Sequence, residues 1–249
     1  MLKILKTRLK QGHQTLAFPP KKKMPDRFCG VPEISAEKCV AGCDLCLNSC
    51  PCGAITVKPL TLDLGRCMFC EECVRVCPHH CIRHSTDLRM STTKQGHLKL
   101  CGKPLDLAKA FDKKTRTLFG RSLKLRVVTA GSCNGCEMEL TAIENTQFDI
   151  SRFGIQIVAS PRHADGLIVT GPVTDNMKLA LEKTYAAVAS PKIVIALGAC
   201  AISGGPFTGS KHIHNGAANV VPVDLFIAGC PPHPMTIIEG IMRVLGKIS

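Results

Sequence analysis

Twelve of the sixteen cysteines in this 249-residue chain fall into three sets of four. Two sets are tight runs closed by proline: Cys39, Cys43, Cys46 and Cys50 before Pro51, and Cys67, Cys70, Cys73 and Cys77 before Pro78. The third is scattered, with Cys133 and Cys136 close together and Cys200 and Cys230 far downstream. Thiolate is a soft ligand, and a cuboidal iron-sulfur cluster takes four of them. Three such sets point to three 4Fe-4S clusters and to a protein that moves single electrons. Disulfide frameworks also use many cysteines, but they belong to small secreted chains without this tight repeated spacing. Zinc sites prefer two separated pairs over four ligands crowded into eleven or twelve residues.

Residues 29–90 read as a duplicated unit, each cysteine run being followed by proline and a short apolar stretch, Ala54–Val57 after the first and Cys81–Ile82 after the second. Duplication of this kind marks an internal repeat around a cofactor. In two-cluster ferredoxins the fourth cysteine of each run serves the other cluster, because the chain crosses between halves. The crossed assignment puts Cys39, Cys43, Cys46 and Cys77 on one cluster, and Cys67, Cys70, Cys73 and Cys50 on the other. The second run has the bacterial ferredoxin spacing; the first has one extra residue between Cys39 and Cys43, in a loop that Gly42 loosens. Cys29, Cys52, Cys81 and Cys101 remain, read as small buried hydrophobes. Cys52 and Cys81 are also close enough to the runs to be spare ligands.

Residues 91–121, rich in Lys, Thr and Gly, read as a linker with a short helix around Leu105–Phe111. Beyond it, buried-strand patterns alternate with helical ones, the signature of an α/β sheet. Strands are expected at 123–130, 155–159, 166–170, 192–198 and 223–228, and helices at 137–145, 175–189 and 234–245. Cys133 and Cys136 then follow the first strand, Cys200 the fourth and Cys230 the fifth. The four cysteines meet where loops converge at the carboxyl edge of the sheet. Gly131, Gly135, Gly198 and Gly229 flank them and suit close approach of backbone to a bulky group. Spacing alone leaves open a CxxC redox pair beside two core cysteines, or zinc.

The net charge of +13 is uneven: residues 1–120 hold 21 Lys and Arg against 10 Asp and Glu, and residues 121–249 hold 11 against 9. Such a surplus raises the question of nucleic acid. The chain has no Trp and one Tyr to serve as stacking platforms, and each cluster with its thiolates adds about two negative charges. The expected partner of the basic face is an acidic protein or anionic lipid, and no nucleic acid is expected. In the leader, residues 1–28, Leu2, Ile4, Leu5 and Leu9 oppose Lys3, Lys6, Arg8 and Lys10 on a helix. That helix either lies on lipid headgroups or a partner, or packs on its own domain. No apolar stretch nears the roughly 18–20 residues of a membrane span. The start lacks the pattern of a secretory signal, so a cytoplasmic location is expected.

The segments Gly131-Ser-Cys-Asn-Gly-Cys-Glu137, Ser160-Pro-Arg-His-Ala-Asp165, Gly198-Ala-Cys-Ala-Ile-Ser-Gly-Gly205 and Gly229-Cys-Pro-Pro232 resemble the small subunit of NiFe hydrogenases and the related 20 kDa subunit of complex I. The resemblance covers residues 123–246. Complex I has its first two ligands as adjacent cysteines, whereas hydrogenases space them as Cys133 and Cys136 are spaced here. The resemblance points to the membrane-bound, energy-converting group 4, the formate hydrogenlyase type. The front half, with its basic leader and Phe28–Pro32, resembles the separate two-cluster ferredoxin subunit of those complexes, so the chain looks like a fusion of two subunits. It lacks the further cysteine-rich stretch of that ferredoxin near Cys101 and the long C-terminal extension of the formate hydrogenlyase small subunit.

The resemblance implies an α+β two-cluster ferredoxin domain at 29–90, the linker at 91–121, and an α/β flavodoxin-like domain with a mainly parallel sheet at 122–249. It implies an electron-transfer subunit of an oxidoreductase complex with no catalytic residues of its own. The cluster on Cys133, Cys136, Cys200 and Cys230 would be proximal to a separate NiFe large subunit that interconverts protons and hydrogen. Further partners would be membrane subunits of a complex I-like arm and an electron donor or acceptor protein, on the cytoplasmic face of the inner membrane. A related complex without a NiFe centre is the alternative. Glu137 and Glu139 are read as stabilising a helix start or relaying protons, and Arg162 and His163 as cations near the cluster or plain surface ion pairs. His212, His214 and His233 are read as polar loop residues.

Overall fold

The computed structural model describes residues 2–20 and 24–248. Met1, Lys21, Lys22, Lys23 and Ser249, and so three of the leader's lysines, lie outside the described residues. The chain begins with helix α1 (Leu2–Gln11). A front module follows, with β1 (Pro32–Ile34), α2 (Leu45–Ser49), β2 (Ile55–Val57), β3 (Leu60–Asp63), α3 (Glu72–Val76) and β4 (Ile82–His84). Both short helices stop for the same reason: Cys50 and Cys77 each precede a proline, which drives them to extended backbone at φ −81°, ψ 110° and φ −85°, ψ 107°. The duplicated halves are stitched by an antiparallel pairing of β1 with β4, in which Pro32 faces His84 and Ile34 faces Ile82.

Residues 91–121 are more than the linker expected from their composition. They carry β5 (Ser91–Thr92), β6 (Lys99–Leu100) and α4 (Lys113–Phe119). The helix sits eight residues beyond the start expected for it, because Asp112 caps it by accepting from the amides of Lys114 and Thr115. β6 extends the β2–β3 hairpin of the front module, and β5 pairs antiparallel with the last strand of the rear sheet. Strands of two residues leave no alternation to read in a sequence.

The rear region holds β7 (Leu123–Thr129), α5 (Gly135–Ile143), β8 (Ile155–Ile157), β9 (Gly166–Thr170), α6 (Asp175–Ala187), β10 (Ile193–Leu197), α7 (Gly198–Ser203), β11 (Leu225–Ile227) and α8 (Pro234–Val244). Its sheet runs β5-β11-β10-β9-β7-β8. The five strands from β7 onward are parallel, in the doubly wound order 2-1-3-4-5. Every residue of β9 and β10 is buried, as expected for central strands covered on both faces. On one face Ile168, Ile195 and Ile227 meet Leu140 and Ile143 of α5 and Ile237, Ile238 and Ile241 of α8. On the other, Val169, Ala196 and Phe226 belong to the same core as Leu64, Ile82, Met90 and Leu98 of the front half. The cysteine-rich module is thus packed into the sheet's own core.

α1 stands apart from that core. None of its residues is buried, and Leu2 and Leu9 are 79% and 82% exposed, so the leader helix does not pack on its own domain. The chain beyond it is fastened to the rear region: Leu16 donates its amide to the Gln147 carbonyl, and Phe18 meets Phe153 edge-on.

One ion pair is enclosed where β5 meets α8. Arg243 donates through Nε and Nη2 to Glu239 Oε1 at 2.7 and 2.6 Å, and both residues are buried. Replacing Glu239 with Ala strands the guanidinium in the interior and is expected to cost about 3–5 kcal/mol. Replacing Arg89, whose pair with Asp87 is half exposed, is expected to cost about 1 kcal/mol or less. Urea unfolding followed by circular dichroism compares the two.

Candidate iron-sulfur sites

Cys50, Cys67, Cys70 and Cys73 line one small cavity, so the chain crossing expected from the repeat brings Cys50 to the second run. Backbone amides are aimed at the sulfurs: Ala54 N donates to Cys50 Sγ and Phe69 N to Cys67 Sγ, both at 3.3 Å. Burial, reinforced by neighbouring thiols, pushes Cys67 up to about 12 and Cys73 up to about 11.

At the first run, Cys77 and Cys39 neighbour Cys46. Burial raises the Cys46 thiol, and Cys77 and Cys39 are the thiols that add to the effect. Cys77 goes the other way. Burial alone would raise it, but the amides of Cys81, His79 and His80 outweigh that and hold it below the ordinary thiol value, Cys81 N lying 3.4 Å from its sulfur. Cys39 and Cys43 line one open groove with Val40, Lys58 and Leu60. Cys46 also acts on Cys73, so the two front sets adjoin.

The rear set assembles at the carboxyl edge of the sheet. Cys133 lies in the loop after β7, Cys136 in the first turn of α5, Cys200 in α7 directly after β10, and Cys230 after β11. Cys136 is raised by burial, then by Glu137 and by Cys200, Cys230 and Cys133. Cys200 is pushed up to about 12 by burial and by Cys230 and Cys133. Glycine is required around these sulfurs. A Cβ on Gly198, at φ +85°, would come within 2.7 Å of Cys136 Sγ, and one on Gly205 within 3.1 Å of Cys200 Sγ. The all-thiol donor sets, the amides turned toward sulfur and these cradles fit iron-sulfur clusters. Bound iron would offset the repulsion of thiolates that are otherwise held protonated.

Two contacts join front and rear at the sites themselves. Ser203 Oγ, in the buried end of α7, donates to the Gly65 carbonyl at 2.7 Å, and Gly65 passes so close to Ile202 that a Cβ would lie 2.8 Å from its Cγ2. The backbone just before Cys67 therefore rests on the helix that carries Cys200. Neither residue carries a sequence signal for this, since their partners are over a hundred positions apart.

Glu137 fastens the Cys133–Cys136 loop. It accepts from Ser132 Oγ at 2.6 Å and from the Thr170 hydroxyl. Burial would raise its carboxyl, but those hydroxyls hold it below the ordinary value. Burial raises Glu139. Thr170 carries no sequence signal for this role, because it meets Glu137 only once β7 and β9 are neighbours. Arg162 and His163 are exposed in the crossover that enters β9 at its amino end, whereas the cysteines follow the carboxyl ends. His212 and His214 stand 3.8 and 3.2 Å from Asp175. His233 caps α8 by accepting from Met235 N and packs edge-on against Phe28 and Phe148. Of the spare cysteines, Cys52 and Cys81 are buried as expected, Cys29 is half-buried, and Cys101 is exposed, contrary to the reading as a core residue, because it lies in the turn directly after the short edge strand β6.

Comparison with known proteins returns two families. The model of the NADH ubiquinone oxidoreductase 20 kDa subunit matches residues 133–244, and that of the 4Fe-4S binding domain matches residues 60–83. The probable membrane-bound hydrogenase subunit mbhJ of Pyrococcus furiosus is 43% identical over 131 residues, 53% of this chain and 78% of that protein. A subunit of the NADH-quinone oxidoreductase of Phocaeicola vulgatus is 43% identical over 133 residues, covering 53% and 66%. Formate hydrogenlyase subunit 7 of Escherichia coli is 44% identical over 129 residues, covering 52% and 51%, so the match spans about half of that relative.

Because Cys67, Cys73 and Cys200 hold their protons at neutral pH, taking up iron must release them. Ligand deprotonation becomes easier as pH rises, so reconstitution at limiting iron is expected to go further at pH about 9 than at about 7. Visible charge-transfer absorption and proton release measured together check this.

Proposed function

This chain belongs to the family of the NADH ubiquinone oxidoreductase 20 kDa subunit and the NiFe hydrogenase small subunits, with a 4Fe-4S ferredoxin-type region ahead of it, and from that premise we propose that it is the wire of a membrane-associated hydrogenase complex. It relays electrons through three 4Fe-4S clusters to or from a separate NiFe subunit. The ligands are Cys39, Cys43, Cys46 and Cys77; Cys67, Cys70, Cys73 and Cys50; and Cys133, Cys136, Cys200 and Cys230. Bound clusters supply one-electron redox capacity. The chain's own residues bind them, turn amides toward their sulfurs, and keep the three sets in line.

The observation that carries this reading is that line: Cys46 neighbours Cys73, and the loop before Cys67 is bonded to the helix bearing Cys200. Cys39 and Cys43 open on a surface groove at one end, and the exposed Cys133 opens on the surface at the other. These are the two ends a relay needs, one for a donor or acceptor protein and one for the large subunit.

The purified complex is expected to hold nickel in the partner subunit, about twelve irons on this chain, and hydrogen-dependent dye reduction. Cys200→Ser and Cys230→Ser are each expected to remove about a third of the iron and abolish dye reduction, leaving the front clusters' spectra in place. A complex with full iron, no nickel and no hydrogen activity would instead favour electron transfer in a complex I-like assembly, a reading that the equal identity to a quinone oxidoreductase subunit supports.

Among the described residues no helix is long and apolar enough to cross a membrane. The uncovered apolar face of α1, flanked by Lys3, Lys6, Arg8 and Lys10, supports peripheral attachment on the cytoplasmic leaflet. The chain is expected to sediment with vesicles containing phosphatidylserine and to be released by salt. Leu5→Asp with Leu9→Asp is expected to abolish that binding without changing iron content.

A further inference from the structure

One polar ring borders the second front set without belonging to it. His84 ends β4, and the alternation of that strand turns it inward with Ile82 while Arg83 points out. Its Nδ1 donates to the Gly30 carbonyl at 3.0 Å. That acceptor is fixed in place, because Gly30 N donates to the Ser85 carbonyl and Val31 N to the Asp87 carbonyl, both at 2.9 Å. A carbonyl oxygen only accepts, so Nδ1 carries hydrogen. The other ring nitrogen, Nε2, is buried and meets no hydrogen-bond partner among the described residues. The same ring lines the cavity of Cys50, Cys67, Cys70 and Cys73. Its centroid is 5.8 Å from that of Phe69, whose amide donates to Cys67 Sγ at 3.3 Å.

We infer that His84 is a positioning residue for the second front cluster, with Nε2 turned to that cavity and donating to a cluster sulfur. The inference rests on the reading above of Cys67, Cys70, Cys73 and Cys50 as ligands. A buried ring nitrogen left without a partner is unfavourable, and the polar atoms that wall this cavity beside it are sulfurs. The sulfurs of a bound cluster accept and do not donate, so the pairing places hydrogen on Nε2 as well as on Nδ1. The ring is then a cation beside a cluster that, with its thiolates, carries about two negative charges. On its outer side the ring borders an open groove that holds Asp26, Glu33 and Asp87 with Arg89, surroundings that suit a cation. A cluster gains negative charge on reduction, so a donor at its sulfur favours the reduced form. A ring that merely fills the core would move no potential selectively.

The test uses the full chain in its complex, labelled with nitrogen-15 at histidine only. Iron analysis, a redox titration of each cluster and pulsed electron paramagnetic resonance of the reduced clusters are the readouts. His84→Leu is expected to keep the wild-type iron content, to shift one midpoint potential downward with the other two unmoved, and to remove a histidine-nitrogen coupling from that same cluster. His84→Gln, whose side-chain amide restores a donor, is expected to bring the potential part of the way back without the coupling. Cys67→Ala, expected to lose about a third of the iron, shows which potential belongs to the second run. An unchanged or raised potential in His84→Leu, an equal shift in all three clusters, or a coupling that survives the substitution overturns the inference. Loss of about a third of the iron in His84→Leu would make His84 a ligand and equally overturn it. Full iron in Cys67→Ala overturns the ligand reading beneath it, so the two failures are told apart by different variants.

Discussion

Thiolates gathered in fours inside a protein repel one another, and the local structure around these sulfurs is organised by that constraint. Burial and mutual proximity hold Cys67, Cys73 and Cys200 well above the ordinary thiol range. Ionising several of them side by side is favourable only with a multivalent cation to bind the thiolates. The local structure is organised around that requirement. Amides point at Cys50, Cys67 and Cys77, prolines turn the chain away behind the two crossing cysteines, and Gly198 and Gly205 leave room beside Cys136 and Cys200.

The second organising feature is that the front module is built into the rear sheet. Met90 accepts from the Ala228 amide, β5 pairs with β11, and Leu64, Ile82 and Leu98 share a core with Val169 and Ala196. A small cysteine-rich module has little apolar surface of its own to bury. Packing it against an existing sheet supplies that surface and holds the second front set beside the rear set. A flexible tether would leave the separation of those sets variable, and electron transfer between them would vary with it. In a chain that looks like a fusion of two subunits, the segment at the junction has become a strand in each sheet.

Much of this was legible beforehand. The β-strands at 166–170 and near 193–197 announce themselves by unbroken apolar runs, and their positions put the scattered cysteines at strand ends. What escaped was short or distant. β5 and β6 have two residues each, too few for a period. α7 is a single short helix whose sequence, Gly-Ala-Cys-Ala-Ile-Ser, resembles a loop motif more than a helix. The Thr170 hydroxyl that helps Ser132 hold Glu137 is an ordinary strand residue until the fold brings it there. The leader helix could by its sequence pack on its own domain or face outward, and the fold leaves its apolar face uncovered.

The amino-acid sequence by itself determined the chemistry: which sulfurs exist, how they are grouped, where the prolines stop each ligand helix, and that an α/β sheet carries the third set. These are local matters of spacing, periodicity and backbone preference, and a linear string records them. Tertiary structure decided the rest: that the front module shares the core of the rear sheet, that Gly65 rests on Ser203, and that Cys50 reaches the cavity of the second run. Such contacts join positions far apart, 138 residues for Gly65 and Ser203, and they exist only because apolar burial folds both halves onto one sheet; no neighbour in the sequence encodes them.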